Sequence, residues 1–448
     1  MTDLDAIDQV LHDAAVEHGV PGAVAGMLLG DEQHVFAHGI GHAELPRAVS
    51  GATLFQVGSI SKTFASAAAM ILVERGQLAL EDPIARHLPD LARATGLDTE
   101  AMTVEHALSH QSGFDGDHLL VFGAERGLDA LADARRLFPP GHGVSYSNAG
   151  FSIIGEVITA AAGRPFEVVV REELLDPLGM LGAGFRADRV ITYDVAAPHW
   201  VFEGAAHVLH GGGWQPGWEL AAPDWAAGGL IASVDHLLRW CRFQRDGLAD
   251  DGTAILSAES LARLHAPVVV ADAVERFGLD WAIHDHDGVR SIGHGGATPG
   301  YLSDLLIVPE RDFAFVGLTN ATNGSSVNQR VRRAALAAGA GVDEHDPRPD
   351  PTLAVDVARV CGRYELAFAI LEVSPGAAPG TVVVTPTERV VDGWQPPLNP
   401  AVTAAFFAAD DIVTVGDDGP ASIGRFAPGP GPAEWLLWNT RRAPRLPG

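Results

Sequence analysis

Cysteine and positive charge are scarce in this chain. Its 448 residues hold two cysteines, Cys241 and Cys361, too few for a disulfide-stapled scaffold. Each lies in an apolar stretch far from the other, which reads as a buried free thiol in a reducing compartment. Lys and Arg number 30 against 57 for Asp and Glu, a formal charge of −27. Such a balance argues against nucleic acid and against anionic membrane surfaces as partners. No uninterrupted apolar run is long enough to span a bilayer. The opening residues, Met1-Thr2-Asp3-Leu4-Asp5, have neither the basic nor the apolar region of a signal peptide. The expectation is a cytoplasmic protein without nucleic-acid or membrane partners.

What is present indicates a folded chain of more than one domain. Hydrophobic residues make up 47% of it, and 448 residues exceed one ordinary core. Helical spacing of Ile7, Val10, Leu11 and Ala14 predicts an opening helix. Residues 22–29 and 34–40 read as a hairpin about Gly30-Asp31-Glu32-Gln33. From residue 63 to about 182 the pattern is almost wholly helical, including 124–137 and 149–162. Residues 199–225 hold Trp200, Trp214, Trp218 and Trp225 beside Gly211-Gly212-Gly213, which reads as a long loop covering a satellite core or walling a pocket. Strands resume at 279–283 and 289–294, with His284-Asp285-His286-Asp287-Gly288 between them. Those four potential metal ligands fit a hairpin turn at Asp287-Gly288 better than a metal site, so no metal is expected. Strands 301–308 and 313–319 and a helix at 326–338 close the unit. The sum is an antiparallel sheet assembled from both ends of this segment. Beyond an Asp-, Pro- and Gly-rich linker, several strand-like segments after residue 360 suggest a small β domain.

Chemistry concentrates in three short motifs. The first is Gly58-Ser59-Ile60-Ser61-Lys62. Positions three apart share a helix face, so the Ser59 hydroxyl and the Lys62 amine are expected to be neighbours. A serine becomes a nucleophile when a nearby base takes its proton, and a helix N-terminus offers free N–H groups to a developing oxyanion. Alone, Ser-x-x-Lys is a weak signal, because an N-cap serine followed by a solvated lysine has the same spelling. The second motif is Tyr146-Ser147-Asn148, between two helical stretches. A phenol–amine pair can pass protons, and an asparagine amide can donate to a substrate carbonyl. The third is His294-Gly295-Gly296 at a strand end, where glycines leave the strand edge bare for a substrate. Singly, Tyr146 reads equally as a core tyrosine and His294 as a strand-end histidine bonded to backbone.

Together the three, in this order, resemble the serine β-lactamase-like family of class C β-lactamases, DD-peptidases, D-aminopeptidases and family VIII-type esterases. Longer matches carry the same resemblance: Leu54 through Lys62, Thr103-Val104-Glu105-His106-Ala107-Leu108-Ser109-His110-Gln111-Ser112-Gly113, Tyr146 through Phe151, and Pro177-Leu178-Gly179-Met180. It implies an α/β (α+β) fold of β-lactamase/transpeptidase type, an antiparallel sheet flanked by helices with an all-helical insertion. The hydrolase domain would span 1–342 with its insertion at about 63–230, followed by a linker at 343–351 and a lipocalin-like β-barrel at 352–448. It implies Ser59 as acylated nucleophile, Lys62 and Tyr146 as the proton-transfer pair, and Asn148, His294, Gly295 and Gly296 on the substrate. The backbone N–H groups of Ser59 and Ala297 would form the oxyanion hole. His106, His110 and Gln111 would support the loop, and Asp117 and His118 would lie near the pocket.

The sequence departs from class C β-lactamases where His294-Gly295-Gly296 replaces Lys-Thr-Gly. A histidine is only partly charged near neutrality, which weakens carboxylate anchoring and favours an esterase or peptidase over a β-lactamase. The resemblance therefore implies a serine hydrolase for an ester or amide, with acyl transfer or weak penicillin binding as alternatives. No cofactor is implied, the partner is a small-molecule or peptide substrate, and a homo-oligomer is left open. The C-terminal domain is expected to bear on specificity or assembly more than on acylation.

Overall fold

The computed structural model describes residues 4–118, 124–209, 218, 220–388, 400–415 and 421–447. Trp214 and Gly211-Gly212-Gly213 lie outside the described residues. The chain forms two compact units, one of Met1–Leu80, Ile154–Pro267 and Gly278–Glu344, the other of Glu81–Ile153, Val268–Phe277 and His345–Gly448.

The first unit is built on an antiparallel sheet in the order Glu32–Gly39, Gly22–Leu29, Phe313–Thr319, Tyr301–Val308, Val289–Thr298, Ala282–His286. The N-terminal hairpin thus pairs with the last strand of the segment, as the pattern of the sequence predicts. Its central strands read as apolar runs, GAVAGMLL and FAFVGLT, because both faces are covered. On one face Ile7, Leu11 and Ala14 of the helix Leu4–Glu17 meet Val327, Val331 and Ala335 of the helix Gly324–Ala335 in one core. On the other lies the helix Val234–Asp246, admitted by Gly26, where a Cβ would come within 2.4 Å of Val234 and 2.8 Å of Leu238. The helix Ser61–Glu74 is buried around its whole circumference from Ser61 to Leu72, its polar members Ser61, Lys62, Thr63 and Ser66 included. Phe64 on it stacks on Trp240 at 3.7 Å, and the Trp240 indole N–H donates to Thr63 Oγ1 at 3.1 Å.

Two local expectations fail in this part of the chain and its neighbour. Residues 199–208 form a hairpin, His199–Phe202 against Ala205–Val208, where a loop was expected. Glu203 and Gly204 both take positive φ at its turn, 48° and 76°, the geometry of a tight two-residue hairpin. The 124–137 stretch is not an α-helix; Ala124–Asp133 winds as a 3₁₀ segment interrupted at Gly127, whose φ of 62° and ψ of −158° no helix contains. Of the described tryptophans of the Trp-rich stretch, Trp200 is exposed on the 199–208 hairpin, whereas Trp218 donates to the Tyr301 hydroxyl at 3.0 Å and Trp225 to the Leu220 carbonyl at 2.9 Å.

The second unit carries the short helices of 81–153 and an eight-stranded antiparallel sheet, Gly362–Glu365 through Arg441–Pro444, in sequential order. A bridge between Tyr364 and Arg445 brings its first strand to its last, so the barrel is nearly closed. Tyr364, Leu371, Val384, Phe406, Phe426 and Leu436 fill its interior; it is packed with side chains, as small barrels are. Among the described residues, no helix is long and apolar enough to cross a membrane.

Candidate active site

The sequence-predicted residues fall into two sets, one in each unit. In the first unit Ser59 lies on a single 3₁₀ turn, Gly58–Ile60, that runs directly into the helix Ser61–Glu74. The motif's other hydroxyls hold this turn: Ser61 Oγ donates to the Gly58 carbonyl at 2.6 Å and accepts from Leu230 N–H at 2.9 Å, and Thr63 donates to the Ile60 carbonyl at 2.7 Å. Lys62 is wholly buried, 0% exposed, and its Nζ donates to Ser59 Oγ at 3.0 Å and also to the Ala227 carbonyl. The solvated-lysine alternative is therefore gone. Taking an ammonium out of water disfavours its charged form, which is what a base for a serine proton requires.

The strand Val289–Thr298 runs against that turn. Gly58 has φ +52°, and a Cβ on it would stand 2.6 Å from the Ala297 backbone nitrogen. Gly296 is equally constrained, with a hypothetical Cβ 2.1 Å from the Val57 carbonyl oxygen and 2.3 Å from Ser303 Oγ. Gly295 is exposed and meets nothing closer than 3.8 Å. The two glycines thus serve different ends, close backbone approach at 296 and a bare edge at 295. Ser303 Oγ secures the approach by donating to the Val57 carbonyl at 2.7 Å. The His294 ring sets Nδ1 2.5 Å from the Gly295 carbonyl oxygen and Nε2 3.4 Å from the Oδ1 of Asp280. Asp280 is 0% exposed and holds φ +76°. A buried carboxylate in a conformation that disfavours a side chain is a feature sequence reading missed, since nothing in the pattern separates it from a turn aspartate.

In the second unit Tyr146 and Asn148 lie together. Their loop is fixed by His110, whose Nδ1 accepts from Ser147 N–H at 3.1 Å and whose carbonyl accepts from Ser145 N–H at 3.0 Å. The His110 ring also packs 4.4 Å from the Tyr146 ring. His106 caps its own helix with Thr103, and Gln111 donates to the Gly141 carbonyl at 3.3 Å. Asn148 donates its amide N–H to Asp117 Oδ1 at 2.6 Å, and the other oxygen of Asp117 accepts from Arg441 Nε at 2.5 Å. Burial, with the Asp117 charge second, pushes the adjacent Asp115 carboxyl up to about 6. Arg441 was not anticipated. It stands 324 positions from Asp117, beyond the reach of any local pattern.

The composition sharpens the first motif. Lys62 is the only lysine of the chain; every other residue in the total of 30 Lys and Arg is arginine. Ser-x-x-Lys is weak evidence where lysines are frequent, and here there is no second lysine to supply a coincidence.

The comparisons with known proteins show the family of the chain. The family model described as Beta-lactamase matches residues 6–340. The chain belongs to the beta-lactamase family of serine hydrolases. Within that family it is similar to penicillin-binding protein 4 of Amycolatopsis lactamdurans, 31% identical over 369 residues that cover 78% of this chain and 94% of that one. It is also similar to esterase EstB of Burkholderia gladioli, 32% identical over 199 residues, 40% of this chain and 50% of the esterase. The crystal structure of SurE superposes with a TM-score of 0.73 at 25% identity and covers 99% of both chains. That likeness includes the C-terminal β-sheet, which lies beyond the segment that matches the beta-lactamase family.

Proposed function

We propose that this protein hydrolyses an ester or amide through a covalent acyl-enzyme on Ser59, with an esterase or peptidase type of specificity. Lys62 and Tyr146 handle the proton, Asn148, His294, Gly295 and Gly296 form the substrate side, and the N–H groups of Ser59 and Ala297 receive the oxyanion. Ser59 Oγ attacks the carbonyl carbon as its proton passes to the Lys62–Tyr146 pair. The tetrahedral intermediate then collapses, the leaving alcohol or amine takes that proton, and the acyl group stays on Ser59. Water repeats the sequence in reverse roles, releasing the acid and restoring the serine.

One observation carries the reading: a wholly buried amine in hydrogen-bonding contact with a partly exposed serine, Lys62 Nζ to Ser59 Oγ at 3.0 Å. The close passage of Ala297 N past the Ser59 turn supports the oxyanion assignment. The similarity to an esterase supports the substrate class, and His294 in the position of a lysine supports ester or peptide over β-lactam. The fact that both cysteines are free supports a cytoplasmic setting.

The test is a panel of p-nitrophenyl esters, D-amino-acid amides and nitrocefin against the wild type and Ser59→Ala. Turnover of an ester or amide is expected, faster than nitrocefin and reduced about 10⁴-fold or more in the variant. Equal turnover by both proteins would remove Ser59 from the mechanism.

A further inference from the structure

The eight-stranded C-terminal sheet lies outside the segment that matches the hydrolase family, yet its last hairpin is bonded to the Tyr146 loop. The strands Trp435–Trp438 and Arg441–Pro444 are joined by Asn439 and Thr440, both at positive φ, 45° and 65°. This tight turn is attached at several points. The Thr440 carbonyl accepts the Tyr146 backbone N–H at 2.8 Å. The Arg442 N–H donates to Ser145 Oγ at 3.1 Å. Arg441 Nε donates to Asp117, and its guanidinium carbon lies 4.8 Å from the centroid of the Tyr146 ring. Arg442 adds a wedge between Phe138 at 4.6 Å and Trp435 at 4.0 Å.

These contacts do more than glue two surfaces. Asp117 is an acceptor on both oxygens, so the Asn148 group facing it must be the NH₂, and the amide oxygen is turned the other way. The orientation of Asn148 therefore depends on where Asp117 stands, and Arg441 fixes Asp117 from the far side. The same guanidinium covers one face of Tyr146, and His110 packs against the ring as well. Two side chains given to the reaction are thus held by one arginine from the end of the chain.

We propose that the 439–442 turn of the C-terminal sheet is a working part of the acylation site, with Arg441 a positioning residue for Tyr146 and Asn148. The inference rests on the acyl-enzyme reading above. It reverses the expectation that the C-terminal domain matters for specificity or assembly more than for acylation.

The experiment compares the full-length wild type with Arg441→Gln, Arg441→Lys and Asp117→Asn. Two quantities are read: the rate at which a fluorophosphonate labels Ser59, and kcat and KM on an uncharged p-nitrophenyl ester. Arg441→Gln is expected to slow labelling and lower kcat by about 10- to 100-fold, the scale of an ångström-level misplacement, with KM nearly unchanged. Arg441→Lys is expected to recover part of that loss. If Arg441→Gln is insoluble, Asp117→Asn, which keeps shape and removes the charge Arg441 binds, is expected to show the same loss of kcat. Labelling at the wild-type rate in Arg441→Gln or Asp117→Asn, with only the melting temperature lowered, overturns the inference and leaves a docking contact. A rise in KM confined to carboxylate-bearing esters, with kcat intact, also overturns it, since Arg441 would then bind substrate directly. Failure of the wild type itself to label overturns the acyl-enzyme reading, and this inference falls with it.

Discussion

Lys62 Nζ stands 3.0 Å from Ser59 Oγ, one helical step away, with no part of the lysine side chain exposed. The Ala227 carbonyl takes a second N–H of the same amine. Two fixed acceptors leave the amine little freedom to leave the serine, and burial keeps water from competing for it. The pairing follows from local geometry, residues i and i+3 on a helix, and from the buried helix that carries Lys62 inward.

Replacing Lys62 by Met keeps the length of the side chain and removes the base. Acylation is expected to fall by about 10²- to 10⁴-fold, the range of a lost general base, with the far-ultraviolet dichroism spectrum unchanged. Acylation of Lys62→Met at the wild-type rate, measured by pre-steady-state burst, would assign the proton transfer elsewhere.

Because Lys62 is the only lysine, lysine-labelled protein gives a single side-chain resonance that needs no assignment. Acylating Ser59 is expected to move that resonance, since the hydroxyl that accepts from Nζ becomes an ester oxygen. Amine-directed acetylation of the folded protein is expected to spare Lys62, which is 0% exposed, and to reach it only after unfolding. An unmoved resonance, or rapid acetylation of the native protein, counts against the pairing.

The two glycines of the third motif should respond differently to alanine. At Gly296 the new Cβ meets the Val57 carbonyl at 2.1 Å, a backbone atom that cannot yield; a loss of about 1–3 kcal/mol in stability is expected from overpacking, with activity reduced. At Gly295 the nearest atom is 3.8 Å away, so a stability change within about 0.5 kcal/mol is expected. Denaturant melts of the two variants check this, and equal losses would refute the distinction.

Asp115 supplies a pH dependence. Its carboxyl, pushed up by burial and then by the Asp117 charge, titrates at about 6 in the folded protein against an ordinary value of 3.8. The folded state therefore holds a proton that the unfolded state has released, so this group's contribution weakens as pH rises from about 4 to 6 and is flat above. Asp115→Asn removes that cost. The variant is expected to be more stable than the wild type by about 1–3 kcal/mol above pH 6, and to lose its advantage towards pH 4. A difference independent of pH over that range would show that Asp115 is not buried as an acid.

Much of the frame was legible in the sequence because it rests on local periodicity. The two strand-like runs at 22–29 and 34–40, the apolar strands 301–308 and 313–319 and the tight turn at Asp287-Gly288 each state their own structure. Ser59 and Lys62 were legible for the same reason, being three residues apart. Non-local features were not. Asp280 reaches His294 across a strand pairing, and Arg441 reaches Asp117 across most of the chain; neither has a spelling that distinguishes it from other turn residues. The 199–208 hairpin was misread because clustered tryptophan and nearby glycine resemble loop, although the positive φ at Glu203 and Gly204 is a hairpin turn's. The 124–133 stretch was misread because helical spacing there outweighed a single glycine, and Gly127 broke the helix.

A covalent acyl group on Ser59 is detectable by acid-quenched intact-mass spectrometry followed by peptide mapping. After brief mixing with a slowly deacylated ester or a penicillin, one acyl equivalent is expected per chain, located on the peptide bearing Gly58-Ser59-Ile60-Ser61-Lys62 and missing from Ser59→Ala. Turnover with no adduct under any quench, or an adduct on another residue that persists in Ser59→Ala, would contradict the account.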